Sequence, residues 1–144
     1  MENKDSIHLL KECDAGTKMA TSSIDEVLDR VKDEKLFKLL YESKNHHAQL
    51  GNKIHSMLIK YGSNEKDPAL MAKGMSWLKT NVKLELEPKD STVAELITDG
   101  CDMGIKSLNQ YLNQYKDSDD EVKAICKELI KIEDDLSNAL REYL

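Results

Sequence analysis

Apolar residues recur along this chain at threes and fours rather than in alternation, and that spacing predicts helices. Over about 5–31, Ile7, Leu10, Thr17, Ile24, Leu28 and Val31 fall on one helix face, with Asp14 and Thr21 on the same stripe. A second stretch, about 33–61, opens on Asp33 as an N-cap and aligns Leu36, Leu40, Ser43, His47, Leu50, Ile54, Met57 and Tyr61. Gly62 follows, where a helix C-terminus places its left-handed residue. The join at Lys32–Asp33 has neither Gly nor Pro, so one unbroken helix is the alternative there. Asp67 and Pro68 signal the start of a shorter helix, about 68–86, with Met71, Met75, Leu78 and Val82 on one side, Trp77 close by and Pro88 as its stop. A third long helix, about 92–116, begins at a capping-box pattern, Thr92-Val93-Ala94-Glu95, and carries Leu96, Ile97, Cys101, Leu108, Leu112 and Tyr115. The fourth, about 119–143, begins at Ser118-Asp119-Asp120-Glu121 and carries Val122, Ile125, Leu129, Ile132, Leu136, Leu140 and Tyr143.

Tight joins within each pair of long helices imply antiparallel hairpins, and the stretch between the pairs can run the length of a bundle. The expected fold is all-α: a ferritin-like antiparallel four-helix bundle in one domain, 1–144, two helical hairpins joined by a long crossover containing a short helix. An internal echo fits two related hairpins. Cys13-Asp14-Ala15-Gly16-Thr17-Lys18 and Cys101-Asp102-Met103-Gly104-Ile105-Lys106 agree at four of six positions. Both lie near the middle of the first helix of their hairpin. Gly16 and Gly104 are expected to let helices approach closely, since mid-helix glycine otherwise costs ~1 kcal/mol.

Composition narrows the function classes. The net charge is −6, and the lysines at 123, 127 and 131 read as a solvated stripe between acids, so neither nucleic acid nor an anionic membrane is an expected partner. Three cysteines, Cys13, Cys101 and Cys126, without a CxxC point to buried thiols rather than a disulfide framework. The segment MENKDSIHLL lacks the apolar run of a signal peptide, and no stretch reaches the ~18 apolar residues of a membrane span. A cytoplasmic location is the expectation.

The opening Leu9-Leu10-Lys11-Glu12-Cys13-Asp14-Ala15-Gly16 segment, the Trp77-containing crossover and Asp102-Met103-Gly104-Ile105-Lys106-Ser107-Leu108 together resemble an uncharacterised bacterial four-helix-bundle family, a domain of unknown function, of the ferritin-like superfamily. The resemblance implies a bundle related to ferritins and rubrerythrins and implies no activity.

Di-iron bundles take one Glu from each of two helices and a Glu-x-x-His from each of the other two, because residues at i and i+3 share a helix face. This sequence departs from that set. Asp14 and Asp102 stand where the single carboxylates would be. Glu42 is followed by Asn45 at i+3 and by His46 and His47 beyond it, and Glu133 is followed by Leu136. Asp14, Glu42, His46, His47 and Asp102 are the candidate metal ligands, for iron or zinc. Three readings remain open for them. Asp14 and one histidine could simply satisfy each other in the core. Three or four of the groups could hold a single divalent metal. The third is a working oxidase or peroxidase site. Adjacent helix positions cannot both point inward, which sets His46 against His47. Cys13 and Cys101, at echoing positions, could meet as a redox pair. With the ligand set incomplete and no other catalytic constellation readable, the leading expectation is a non-enzymatic helical module, with no cofactor, that acts through self-association or a protein partner. The alternative is a metal-binding or redox protein derived from di-iron carboxylate bundles with a degenerate site.

Overall fold

The structure, a computed structural model, describes residues 3–63 and 89–144. Four long helices account for most of them: α1 (Lys4–Leu28), α2 (Glu34–Lys60), α3 (Asp90–Gln114) and α4 (Asp120–Leu140), followed by a 3₁₀ turn at Arg141–Tyr143. No strand occurs among the described residues. The crossover helix expected at 68–86, with Met71, Met75 and Trp77, lies outside them.

Helix ends show which local signals act. Asn3 caps α1, its side chain accepting from the Ser6 N–H at 3.0 Å. Asp33 caps α2 in the same way, accepting from Leu36 N–H at 2.9 Å. At the far end of α2 the Ser63 N–H bonds back to Leu58 O and the Gly62 N–H to Ile59 O, with Gly62 at φ 81. That double closure is the left-handed glycine stop expected there.

The chain does break between α1 and α2, three residues earlier than the apolar stripe suggested. α1 ends at Leu28, and the N–H groups of Lys32 and Asp33 are held by the Asp90 carboxylate at 2.8 and 3.0 Å. An acceptor from the start of α3 therefore satisfies donors that a continuous helix would have bonded internally. The two expected capping boxes do not form. α3 begins two residues before Thr92, with Lys89 at the cap position and no side-chain cap. Asp119 is the α4 cap residue but makes no cap bond of its own. Its carboxylate instead accepts from Asn3 Nδ2 and the Tyr61 hydroxyl, while its N–H goes to Ser6 Oγ. Asp119 thus ties together one end each of α1, α2 and α4.

Two apolar clusters fill the interior. One gathers Ile24 and Val27 of α1, Leu36 and Leu40 of α2, Val93, Ala94, Ile97 and Cys101 of α3, and Leu136 and Leu140 of α4. The other gathers Leu9, Leu10 and Cys13 of α1, Leu50, Ile54 and Leu58 of α2, Leu108 of α3, and Val122, Ile125, Cys126 and Leu129 of α4. Aliphatic side chains do almost all of the filling, in a chain with one Phe and one Trp. The most extensive interfaces are α1 with α2 and α3 with α4, and the α1–α3 interface is much thinner. Among the described glycines, the one at the tightest interhelical approach is Gly51. A Cβ there would sit 3.0 Å from Thr17 Oγ1, whereas one on Gly16 or Gly104 would make ordinary contact with Leu129 or Glu133.

Candidate functional site: a buried His–Glu pair beside a cleft

Most of the buried polar groups lie away from the helix ends, between the clusters: Asp14, Thr17, Ser43, His47 and Glu133. His47 lies on the inner face of α2, one turn after Ser43 and one before Leu50, and is fully buried. Its Nδ1 is 2.8 Å from Ser43 O. A carbonyl only accepts, so Nδ1 carries the proton of that bond. The other nitrogen, Nε2, faces Glu133 Oε1 of α4 at 3.3 Å, an ion-pair distance whose alignment falls short of a formed hydrogen bond.

A bare Nε2 against an ionised carboxylate would oppose two sets of lone pairs in the interior. A proton on Nε2 removes that opposition and makes the contact an imidazolium–carboxylate pair. Burial pushes the His47 pKa down, but Glu133, through contact and charge, and the Ser43 carbonyl together push it above its ordinary value. That direction favours the ion pair over a neutral imidazole. The ion pair cancels its own charge inside the bundle, as a buried ion must.

Glu133 also touches α3. The Cys101 thiol is raised by burial first and then by the nearby Glu133 carboxylate, so it stays protonated. Gly104 lies over the same carboxylate, where a Cβ would be 3.7 Å from Oε1.

The five sequence candidates come out separated. His47 is buried, with Glu133 as its partner rather than Asp14. Asp14 is buried too, but its Oδ2 takes the Lys18 ammonium at 2.8 Å, one turn along its own helix, and its Oδ1 has no hydrogen-bond partner. Glu42 and His46 lie on the exposed side of α2, and Glu42 is 4.0 Å from Lys38. Asp102 is exposed and accepts from Ser137 Oγ at 3.3 Å. Among the described residues, no three His, Cys, Asp or Glu side chains are grouped to hold a metal ion. Cys13 and Cys101 fall in different clusters, and the thiol beside Cys13 is Cys126, which with burial pushes the Cys13 thiol up. All three thiols are free and buried.

Glu133 was the residue the metal pattern passed over. Its signal was positional: four residues after Leu129 and three before Leu136, it occupies a core position of α4, where an acid needs a partner.

Beside this pair, a cleft of 330 Å³ opens between α1 and α3 with α4 as its floor. Ala15, Gly16 and Ala20 of α1 face Gly100, Cys101 and Gly104 of α3 across it, and Glu133 lies at its base.

The described residues form an all-helical arrangement with a buried His–Glu pair and a cleft beside it. No protein-family model matches the sequence, and neither curated proteins nor solved structures give a match.

Proposed function

We propose that this chain is a non-enzymatic helical module that works by self-association or by docking on a protein partner, built on an antiparallel, ferritin-like four-helix scaffold. The observation that carries the reading is an aromatic pair on the outside of α2. The chain has one Phe, and it is spent on the surface: Phe37 is 43% exposed and stacks on Tyr41, 49% exposed, with ring centroids 6.3 Å apart. Exposed, pre-stacked aromatics are the anchors that interfaces favour. The topology is supported by which helix halves share a cluster. The end of α1, the start of α2, the start of α3 and the end of α4 meet in one, and the opposite halves meet in the other. Such sharing supports α2 and α3 running the same way, the arrangement a long crossover between hairpins produces.

The test is sedimentation velocity together with affinity capture, on the native chain and on Phe37→Ser/Tyr41→Ser. The expected result is an oligomer or a retained partner that is lost in the double variant, with the melting temperature unchanged. A monomer with no variant-sensitive partner overturns the reading.

A second reading, a metal-binding or redox protein descended from di-iron carboxylate bundles, draws on the inward-facing His47 and Glu133 of α2 and α4. The residues do not fit a di-iron centre. His47 has one nitrogen committed to Ser43, Asp14 is turned to Lys18, and Glu42 and His46 face outward. Elemental mass spectrometry after anaerobic loading with ferrous iron or zinc decides it. A full equivalent of metal lost on His47→Ala supports descent with retained binding, and metal that ignores the substitution rejects it.

A further inference from the structure

We propose that Cys13 and Cys126 form a redox site, which hydrogen peroxide converts to a disulfide joining α1 to α4. The site is independent of the aromatic surface of α2 and of the His47–Glu133 pair. Helix register carries the inference. The Asp119 N–H donates to Ser6 Oγ at 2.7 Å, across 113 positions of sequence. Further along, a Cβ on Gly16 would lie 3.5 Å from Leu129 Cδ2, and that contact again spans 113 positions. Cys13 and Cys126 fall between those two contacts with the same separation. Positions 6, 13 and 16 share one face of α1, and 119, 126 and 129 share one face at the start of α4, because steps of seven and three residues return to the same side of a helix. Helices in step at both contacts are in step between them, so the two thiols come side by side. Both are fully buried in the cluster around Leu129, whereas Cys101 belongs to the other cluster.

The pair is chemically unequal. The neighbouring Cys13 lowers the Cys126 thiol; burial works against this, and the Lys127 ammonium adds to it. Cys13 itself is raised, by Cys126 first and then by burial. Cys126 is therefore the attacking sulfur and Cys13 the resolving one. Cys126 Sγ also faces the Leu108 carbonyl at 3.8 Å. Leu108 lines the α1–α3 cleft together with Gly16, one turn on from Cys13, so a solute little larger than water reaches the wall behind which the pair lies. The Cys126 thiolate attacks one peroxide oxygen, the O–O bond breaks, and the departing hydroxide leaves as water with the proton the thiol gave up. Cys13 sulfur then attacks the sulfenic sulfur, and its S–H proton leaves with the displaced hydroxyl as a second water. Two thiols are oxidised to one disulfide, and one peroxide is reduced to two waters.

The test exposes the full chain, reduced and then freed of reductant, to hydrogen peroxide under native conditions, followed by alkylation and peptide mapping by mass spectrometry. The expected product is a chain lighter by two hydrogens, with Cys13 linked to Cys126 and Cys101 still alkylated. Its urea midpoint should rise, because the cross-link restrains the unfolded chain, and reduction should restore all three free thiols. Closure should run about tenfold or more faster than loss of the Cys101 thiol. Cys101→Ala should leave the product unchanged, and Cys126→Ala should remove it. In urea, where the fold no longer selects partners, the same treatment should give mixed pairings. No disulfide under native conditions, a linkage through Cys101, cross-links only between chains, or a native product as mixed as the one in urea would each overturn the proposal. The native chain and Cys101→Ala decide the matter even if Cys126→Ala fails to fold.

Discussion

The segments 13–18 and 101–106 begin with the same two residues and end in different surroundings. Cys13 lies in the cluster with Leu129 and beside Cys126, whereas Cys101 lies in the other cluster and beside Glu133. Asp14 is 1% exposed and ion-paired to Lys18, while Asp102 is exposed and bonds only weakly to Ser137. Gly16 packs on Leu129, and Gly104 on Glu133. Those two α4 residues are one helical turn apart, so the paired segments meet neighbouring turns of one helix, one apolar and one acidic. A repeated motif thus acquired two chemistries from its opposing helix rather than from its own letters.

That contrast can be broken at the acidic turn first. Removing one partner of a buried pair leaves the other uncompensated, so Glu133→Ala should cost about 3–5 kcal/mol in urea unfolding. A loss below about 1 kcal/mol would show that the pair is solvated. A smaller effect should separate the two aspartates. Asp14→Ala strands a buried contact to Lys18 and should cost about 1–3 kcal/mol, against about 0.5 kcal/mol or less for exposed Asp102→Ala. Equal costs would erase the difference between the segments.

The pair also predicts a pH signature. His47 is raised in the folded state, so its contribution to stability is complete below its unfolded value near 6.5 and is lost as pH rises through the folded value. Stability measured by denaturant should therefore decline from mildly acidic toward alkaline pH, and His47→Gln should flatten that slope. A slope unchanged by the substitution would assign it to other groups. The smallest effect concerns the glycines. Neither is crowded, so Gly16→Ala and Gly104→Ala should each stabilise by up to about 1 kcal/mol through helix propensity. Gly104→Ala should gain less, because its methyl would cover the Glu133 carboxylate. A destabilised Gly16→Ala would mean that α1 and α4 pack closer than the 3.5 Å contact allows.

By itself the sequence determined the elements and most of what they bury. Period-three-and-four spacing gave four long helices, the α2 caps at Asp33 and Gly62 were legible, and Leu36, Leu40, His47, Leu50 and Ile54 fell on the buried face as spaced. Those features are local, because they depend on which side of a helix a residue faces and on which side chain can reach its own backbone. The resemblance to ferritin-like bundles also drew attention to the inward face of α2, where His47 proved to lie.

Only the tertiary structure decided the partners. Asp90 breaks the chain between α1 and α2 from 57 and 58 residues away, Asp119 leaves its own helix uncapped to hold two others, and His47 meets Glu133 instead of Asp14. The cleft belongs to the same class, since it exists where small residues of two distant helices happen to face each other. A helix periodicity assigns a residue to the core but carries no information on which helix stands opposite or at what height. Pairing across the core is set by how four helices pack together, and so by the whole chain at once.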